Sequence, residues 1–254
     1  SHFHTYDGSR KNDLRVAQVL DWLSLPPERR PHFITLYFSD VDNAGHDHGP
    51  DSGEVERAAR LADRLLRRLL DGIAALPHGD RVHVVVVSDH GMAKAGPDGR
   101  IFLDDVIELD GVRVLESGAV ASLWFDDAAR IAPAVATLRG RLKHVAVYRP
   151  GEMPERLHLD GNARVGHILL VAEEGFLVGA RASLRNPAPG QHGYEPRDES
   201  MHGIFLALGP RIRPGARVPS FESVHVYPLL ARLLDLDPVP GVDARLDPLA
   251  AILR

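Results

Sequence analysis

Two stretches of the chain place carboxylate and imidazole side by side. The first is Asp40-Val41-Asp42-Asn43-Ala44-Gly45-His46-Asp47-His48, the second Ser88-Asp89-His90-Gly91. Asp oxygen and neutral His nitrogen are ligands that suit zinc, and two such clusters suit two ions. A lone Asp-His pair is more often a turn or a helix cap. Two of them in one chain, each closing an apolar run, favour the metal reading. Neither is the helical H-E-x-x-H zinc motif.

The runs that precede them are Phe33-Ile34-Thr35-Leu36-Tyr37-Phe38 and Val82-His83-Val84-Val85-Val86-Val87. Their β-branched and aromatic content predicts two buried strands whose C-terminal ends open into polar loops. In open α/β sheets that is the end where chemistry gathers. A third imidazole, His192, follows the rigid Asn186-Pro187-Ala188-Pro189-Gly190 loop.

Taken in order, Asp42-Asn43-Ala44-Gly45-His46 with Gly49-Pro50, then Ser88-Asp89-His90-Gly91-Met92, then Gln191-His192-Gly193-Tyr194, resemble the nucleotide pyrophosphatase/phosphodiesterases of the alkaline phosphatase superfamily. The resemblance runs from about Tyr6 to the C-terminal helix. It implies an α/β fold, alkaline-phosphatase-like, with a central mostly parallel sheet, helices on both faces and a small α+β insertion. It implies a pair of zinc ions: Asp42, His46 and His192 on one, Asp89 and His90 on the other. It also implies that Tyr6 and Tyr37 line a nucleoside pocket, where a ring can stack on a base; core packing of Tyr37 is the plainer alternative. The activity implied is hydrolysis of phosphodiester or pyrophosphate bonds in nucleotides or other small phosphodiesters. Members of the family are often secreted, periplasmic or surface-bound. Other chemistries of the superfamily, phosphomonoester or phosphonate hydrolysis, and a non-catalytic metal-binding fragment are the rivals.

The same resemblance implies a Thr nucleophile opening a helix, and one more Asp on the second ion. The only threonines are Thr5, Thr35 and Thr137, and none stands in that context. Residues 1–254 are therefore expected to be one catalytic domain lacking its N-terminal part, with about 101–180 as the insertion, and to be inactive alone. An upstream fragment or self-association is the expected remedy for strands left without neighbours.

Composition narrows the alternatives. A net charge of −5 argues against a nucleic-acid polymer as partner. The absence of cysteine excludes a thiol nucleophile, a Cys-zinc site and disulfides. No apolar run is long enough to span a membrane.

The remaining pattern supplies the elements that must position these residues. Val16, Val19, Leu20 and Leu23 mark one helix face. Asp51 or Ser52 can cap a long helix lined by Leu65, Leu69 and Ile73, whose Arg57, Arg60, Arg64, Arg67 and Arg68 form a solvated face. Residues 112–115, 121–125 and 144–148, with a helix capped by Asp126 or Asp127 between the last two, predict a β-β-α-β insertion. Residues 168–172 and 175–178 predict a hairpin, 203–210 a buried strand, and 224–234 a helix with Pro228 in its first turn. His48 is assigned to solvent or to the surroundings of the ligands, and His83 to structure.

Overall fold

The computed structural model describes residues 2–254. In chain order the elements begin α1 (Asn12–Leu23), α2 (Asp40–His48), α3 (Gly53–Ala74), β1 (Val84–Val87), β2 (Ala93–Lys94) and β3 (Arg100–Phe102). There follow β4 (Val112–Leu115), β5 (Val120–Phe125), α4 (Ile131–Arg141), β6 (Val145–Tyr148), β7 (Ile168–Ala172) and β8 (Leu177–Gly179). The last are β9 (Gly190–Gln191), β10 (Phe205–Leu208), α5 (Val226–Leu233) and α6 (Asp247–Ala250). Two compact units result: Ser1–Asp40, Ala58–Asp89 and Ile204–Arg254 form the first, Val41–Arg57 and His90–Gly203 the second.

In the first unit β1 and β10 pair antiparallel, with Val84 opposite Leu208 and Val87 opposite Phe205. Side chains alternate across such a ribbon, so each face needs its own cover. On one face Val84 packs against Val16, Val19 and Leu23 of α1 and Leu65, Leu69 and Ile73 of α3. On the other, Phe205 and Ala207 pack against Leu229 of α5 and Leu249 of α6. Ser52 caps α3, its hydroxyl accepting from the Val55 N–H at 3.3 Å. The five arginines of α3 are all exposed, as their interleaving with acids predicts.

The run 33–38 carries the alternation of a strand without being one. Ile34, Leu36 and Phe38 pack on the α1/α3 core, while Phe33 and Tyr37 are 54% and 51% exposed. No sheet among the described residues includes 33–38. The expected buried strand is thus corrected to an extended segment covered on one face. A ladder needs a neighbour, and β1 pairs with β10 alone. The strand expected at 203–210 is likewise only half covered, with Leu206 56% exposed.

In the second unit β4, β5, β7 and β6 form an antiparallel sheet in that order, with α4 beside it. The expected β-β-α-β order of elements is present in β4, β5, α4 and β6, and Asp127 caps the turn that leads into α4 by accepting from Ala129 N–H at 2.9 Å. All five residues of β7 are buried. A strand buried this way takes a neighbour on each edge, here β5 and β6. The predicted hairpin is therefore overturned, and β8 pairs parallel with β3 instead. The fold is α/β with helices and mixed pairing; β3–β8 is the one parallel pair among the described residues, a smaller parallel share than expected. No helix among the described residues is long and apolar enough to cross a membrane.

Candidate metal centre

Asp42 and His46 stand on a helix rather than in the loop expected for them. Residues 40–48 form α2, whose first residue, Asp40, accepts a hydrogen bond from the Asn12 side-chain amide. Spacing i, i+4 then sets Asp42 and His46 on one helix face, and turns His48 away from it. His48 is exposed, in keeping with its assignment.

Three ligand atoms converge in the second unit. Asp42 Oδ1 lies 3.6 Å from His46 Nε2 and 3.8 Å from His192 Nε2. All three atoms fall within 4.8 Å of one another. Asp42 Oδ1 is buried and accepts no hydrogen bond. Such an atom costs free energy unless something satisfies it. Two ligands each about 2.0–2.2 Å from a tetrahedral ion sit roughly 3.3–3.6 Å apart. The group therefore fits a cation: the spacing is slightly open for one, too long for a hydrogen bond, and the donors are one carboxylate and two imidazoles.

The surroundings orient the donors. His46 Nδ1–H donates to the Gly190 carbonyl at 2.9 Å. That bond sets the tautomer in which Nε2 keeps its lone pair for a metal. Gly190 opens β9, which pairs with β2 through Ala93 opposite Gln191, and His192 follows directly. α2 and β9 touch backbone to backbone. A Cβ on Gly190 would lie 2.1 Å from the Gly45 carbonyl oxygen, and one on Gly45 would lie 2.9 Å from Met92 Cε. Gly190 needs glycine because it meets backbone, whereas the neighbour of Gly45 is the flexible end of Met92.

His90 stacks on His192, ring centroids 3.6 Å apart and planes 16° from parallel. Its Nδ1–H donates to the Gly91 carbonyl at 2.8 Å. The structure thus brings His90 against the group, though the three converging ligands are made without it. Asp89 ends the chain segment that closes β1 in the first unit.

In the first unit the Tyr6 and Tyr37 rings meet edge to face at 6.1 Å, with the Arg15 guanidinium 5.6 Å over Tyr6. Tyr6 is 63% exposed. Tyr37, also half exposed, is not a core residue. His83 is structural as expected: its ring accepts the Arg211 N–H at 3.3 Å, and burial, with Arg211 nearby, lowers its pKa. His202 is exposed. Thr35 points outward, and Thr137 Oγ1 donates to the Pro133 carbonyl inside α4 at 3.0 Å.

One pair has no signal in the sequence. Arg156 donates through Nε and Nη2 to the two carboxylate oxygens of Glu195, each at 2.7 Å. Those bonds hold the Glu195 carboxyl below its ordinary range. Beside it Tyr194 is buried, and that burial pushes its hydroxyl up to about 12. An Arg and a Glu in separate polar loops carry no pattern that would pair them.

The family model described as type I phosphodiesterase/nucleotide pyrophosphatase matches residues 2–202. A venom phosphodiesterase of Crotalus durissus collilineatus is 32% identical over 247 residues, which are 94% of this chain and 30% of the relative. Ectonucleotide pyrophosphatase/phosphodiesterase family member 1 of Mus musculus is 30% identical over 248 residues, 94% of this chain and 27% of the relative. The chain thus spans about a third or less of these relatives. Among solved structures, murine ectonucleotide pyrophosphatase/phosphodiesterase 5 superposes with a TM-score of 0.91 at 28% identity, over 99% of this chain and 66% of that one. An inactive form of the same murine protein, solved in complex with AMP, matches to the same extent.

Proposed function

The chain belongs to the type I phosphodiesterase/nucleotide pyrophosphatase family, and from that premise we propose that it supplies metal-binding residues to an enzyme that hydrolyses phosphodiester and pyrophosphate bonds with zinc. The observation that carries the reading is the buried Asp42 Oδ1 with no hydrogen bond, faced by His46 Nε2 and His192 Nε2 at 3.6 and 3.8 Å. Asp42, His46 and His192 would hold one zinc ion, and Asp89 and His90 would contribute to a second. A bound zinc pair supplies Lewis acidity toward phosphoryl oxygen and lowers the pKa of an attacking oxygen.

The residues of this chain do the preparatory work. The Gly190 carbonyl, by accepting from His46 Nδ1–H, fixes the tautomer and the ring plane of that imidazole. The i, i+4 step on α2 holds Asp42 beside it. Tyr6 and Tyr37, exposed and in edge contact, would stack on a base; the nucleotide in the murine relative's complex supports that substrate class. Residues 1–254 would form one catalytic domain with 101–180 as its insertion. Thr5 and Thr35 lie outside any helix and Thr137 lies within α4, so none opens a helix as the family's nucleophile does, and the nucleophile and one Asp ligand would come from outside these residues.

The chain alone is expected to show no turnover of the p-nitrophenyl ester of thymidine monophosphate, with or without zinc. A longer polypeptide containing it is expected to hydrolyse that diester in a zinc-dependent way and to leave simple p-nitrophenyl phosphate nearly untouched. Turnover by the chain alone that disappears in His192→Ala would refute the missing nucleophile. Preference for the monoester would move the enzyme to another branch of the superfamily, and inactivity of both forms would leave a non-catalytic metal-binding piece.

The same reading assigns partners. Phe33, Val87, Ile204 and Leu206 in the first unit are each at least 50% exposed. Apolar side chains in such number support a covering segment, from an upstream stretch or from a second copy. Sedimentation of the purified chain is expected to give species larger than the 27.8 kDa monomer at micromolar concentration. A monodisperse monomer at high concentration would count against it.

A further inference from the structure

We infer that Arg156 is a positioning residue for the metal centre, acting through Glu195 to fix the loop that carries His192. The inference rests on the metal reading given above and names a part of its machinery outside the ligands.

His192 is the one ligand of the three that does not stand on α2. Upstream, its loop is anchored by β9, a strand of two residues. Immediately downstream Gly193 takes φ +92°, a left-handed conformation that turns the chain sharply. Glu195 lies three residues past His192, and Arg156 grips both of its carboxylate oxygens at 2.7 Å. The two side chains are 28% and 25% exposed, so the pair is more sheltered than an ordinary surface ion pair. Tyr148, the last residue of β6, and Leu157, the neighbour of Arg156, pack in one apolar cluster with Leu169 and Val171 of β7. A continuous tie therefore runs from an edge strand of the four-stranded sheet, through Arg156 and Glu195, to the loop of His192.

The form of the contact suits this role. A guanidinium fork fixes the plane of a carboxylate as well as its distance. An ammonium keeps the charge and loses the fork. Metal ligands must be held within about 0.5 Å of their productive positions. Releasing Glu195 would leave the downstream half of the loop held by buried Tyr194 without the fork, and His192 Nε2 would be kept less firmly at 3.8 Å from Asp42 Oδ1.

The test uses the full chain with Arg156→Ala, Arg156→Lys and Glu195→Gln. Zinc affinity is measured by competition with a chromophoric chelator. Cobalt substitution reports ligand geometry through its visible absorption, and metal-free thermal melts report folding. Arg156→Ala is expected to bind zinc about tenfold more weakly, and Arg156→Lys about threefold or more, the scale of outer partners at metal sites. The cobalt band is expected to change in both. Folded Arg156→Lys and Glu195→Gln chains that bind zinc within about twofold of the unaltered chain, with the same cobalt band, would overturn the inference even where Arg156→Ala fails to fold. His192→Ala separates the two levels. Zinc lost in His192→Ala but kept in the Arg156 and Glu195 variants refutes the tie alone; zinc unaffected by His192→Ala refutes the metal reading and the tie together.

Discussion

His192→Ala chain, purified and dialysed, is expected to carry no zinc, where the unaltered chain carries about one ion per molecule. The three converging atoms come from two places: Asp42 and His46 from one turn of α2, His192 from the far side of β9. Catalytic zinc sites use three protein ligands, and two leave an ion held mainly by water. Loss of the third is expected to weaken binding by more than about 100-fold, beyond the roughly 10- to 100-fold that outer partners cost. His90→Ala is the control. His90 stacks on His192 but is not one of the three, so its removal is expected to leave the first ion in place. Metal analysis by mass spectrometry decides it: equal zinc in the His192→Ala and unaltered chains would end the assignment.

Gly190→Ala is expected to damage the site as badly without touching a ligand. The added methyl would stand 2.1 Å from the Gly45 carbonyl oxygen and 3.1 Å from Met92 Sδ. The sulfur can swing away, but the carbonyl belongs to α2 and cannot move without the helix. Relief requires α2 and β9 to part, which stretches the His46 Nδ1–H bond to Gly190 and carries Asp42 away from His192. A cost of about 2–4 kcal/mol in urea unfolding is expected, together with loss of zinc. Unchanged stability with zinc retained would show that the backbone contact is looser than the structure has it.

Residue type and order make Asp42, His46 and His192 legible as a group. They leave the helix that carries two of them unread. Asp42, Asn43 and Gly45 are poor helix formers, and their propensity masks the i, i+4 spacing that is the truer signal. Contacts from elsewhere, such as the Asn12 amide on Asp40, favour the helix over the loop. The run 33–38 shows the opposite limit. Its β-branched and aromatic content predicts a strand buried throughout, whereas the structure covers Ile34, Leu36 and Phe38 and leaves Phe33 and Tyr37 half exposed. Whether such a run joins a sheet depends on other segments, and no local pattern records that. The 168–178 hairpin fails for the same reason: two strands close in sequence need not be neighbours, and burial of β7 between two strands gives it and β8 different partners. Arg156 and Glu195 have no periodicity to betray them.

The placement of the ligands has a consequence for the unfolded chain. Two donors lie one helical turn apart, and the third joins them across about 150 residues of polypeptide. An ion held by all three closes that whole length into a ring. In a chain without cysteine, this would do the work that a disulfide does elsewhere, removing open conformations from the denatured ensemble. By the chain-entropy estimate a closure of that length is worth about 5 kcal/mol, comparable with the entire stability of a small domain. Zinc in this chain would then act first as a cross-link, and a chelator would loosen the second unit before it silenced any chemistry.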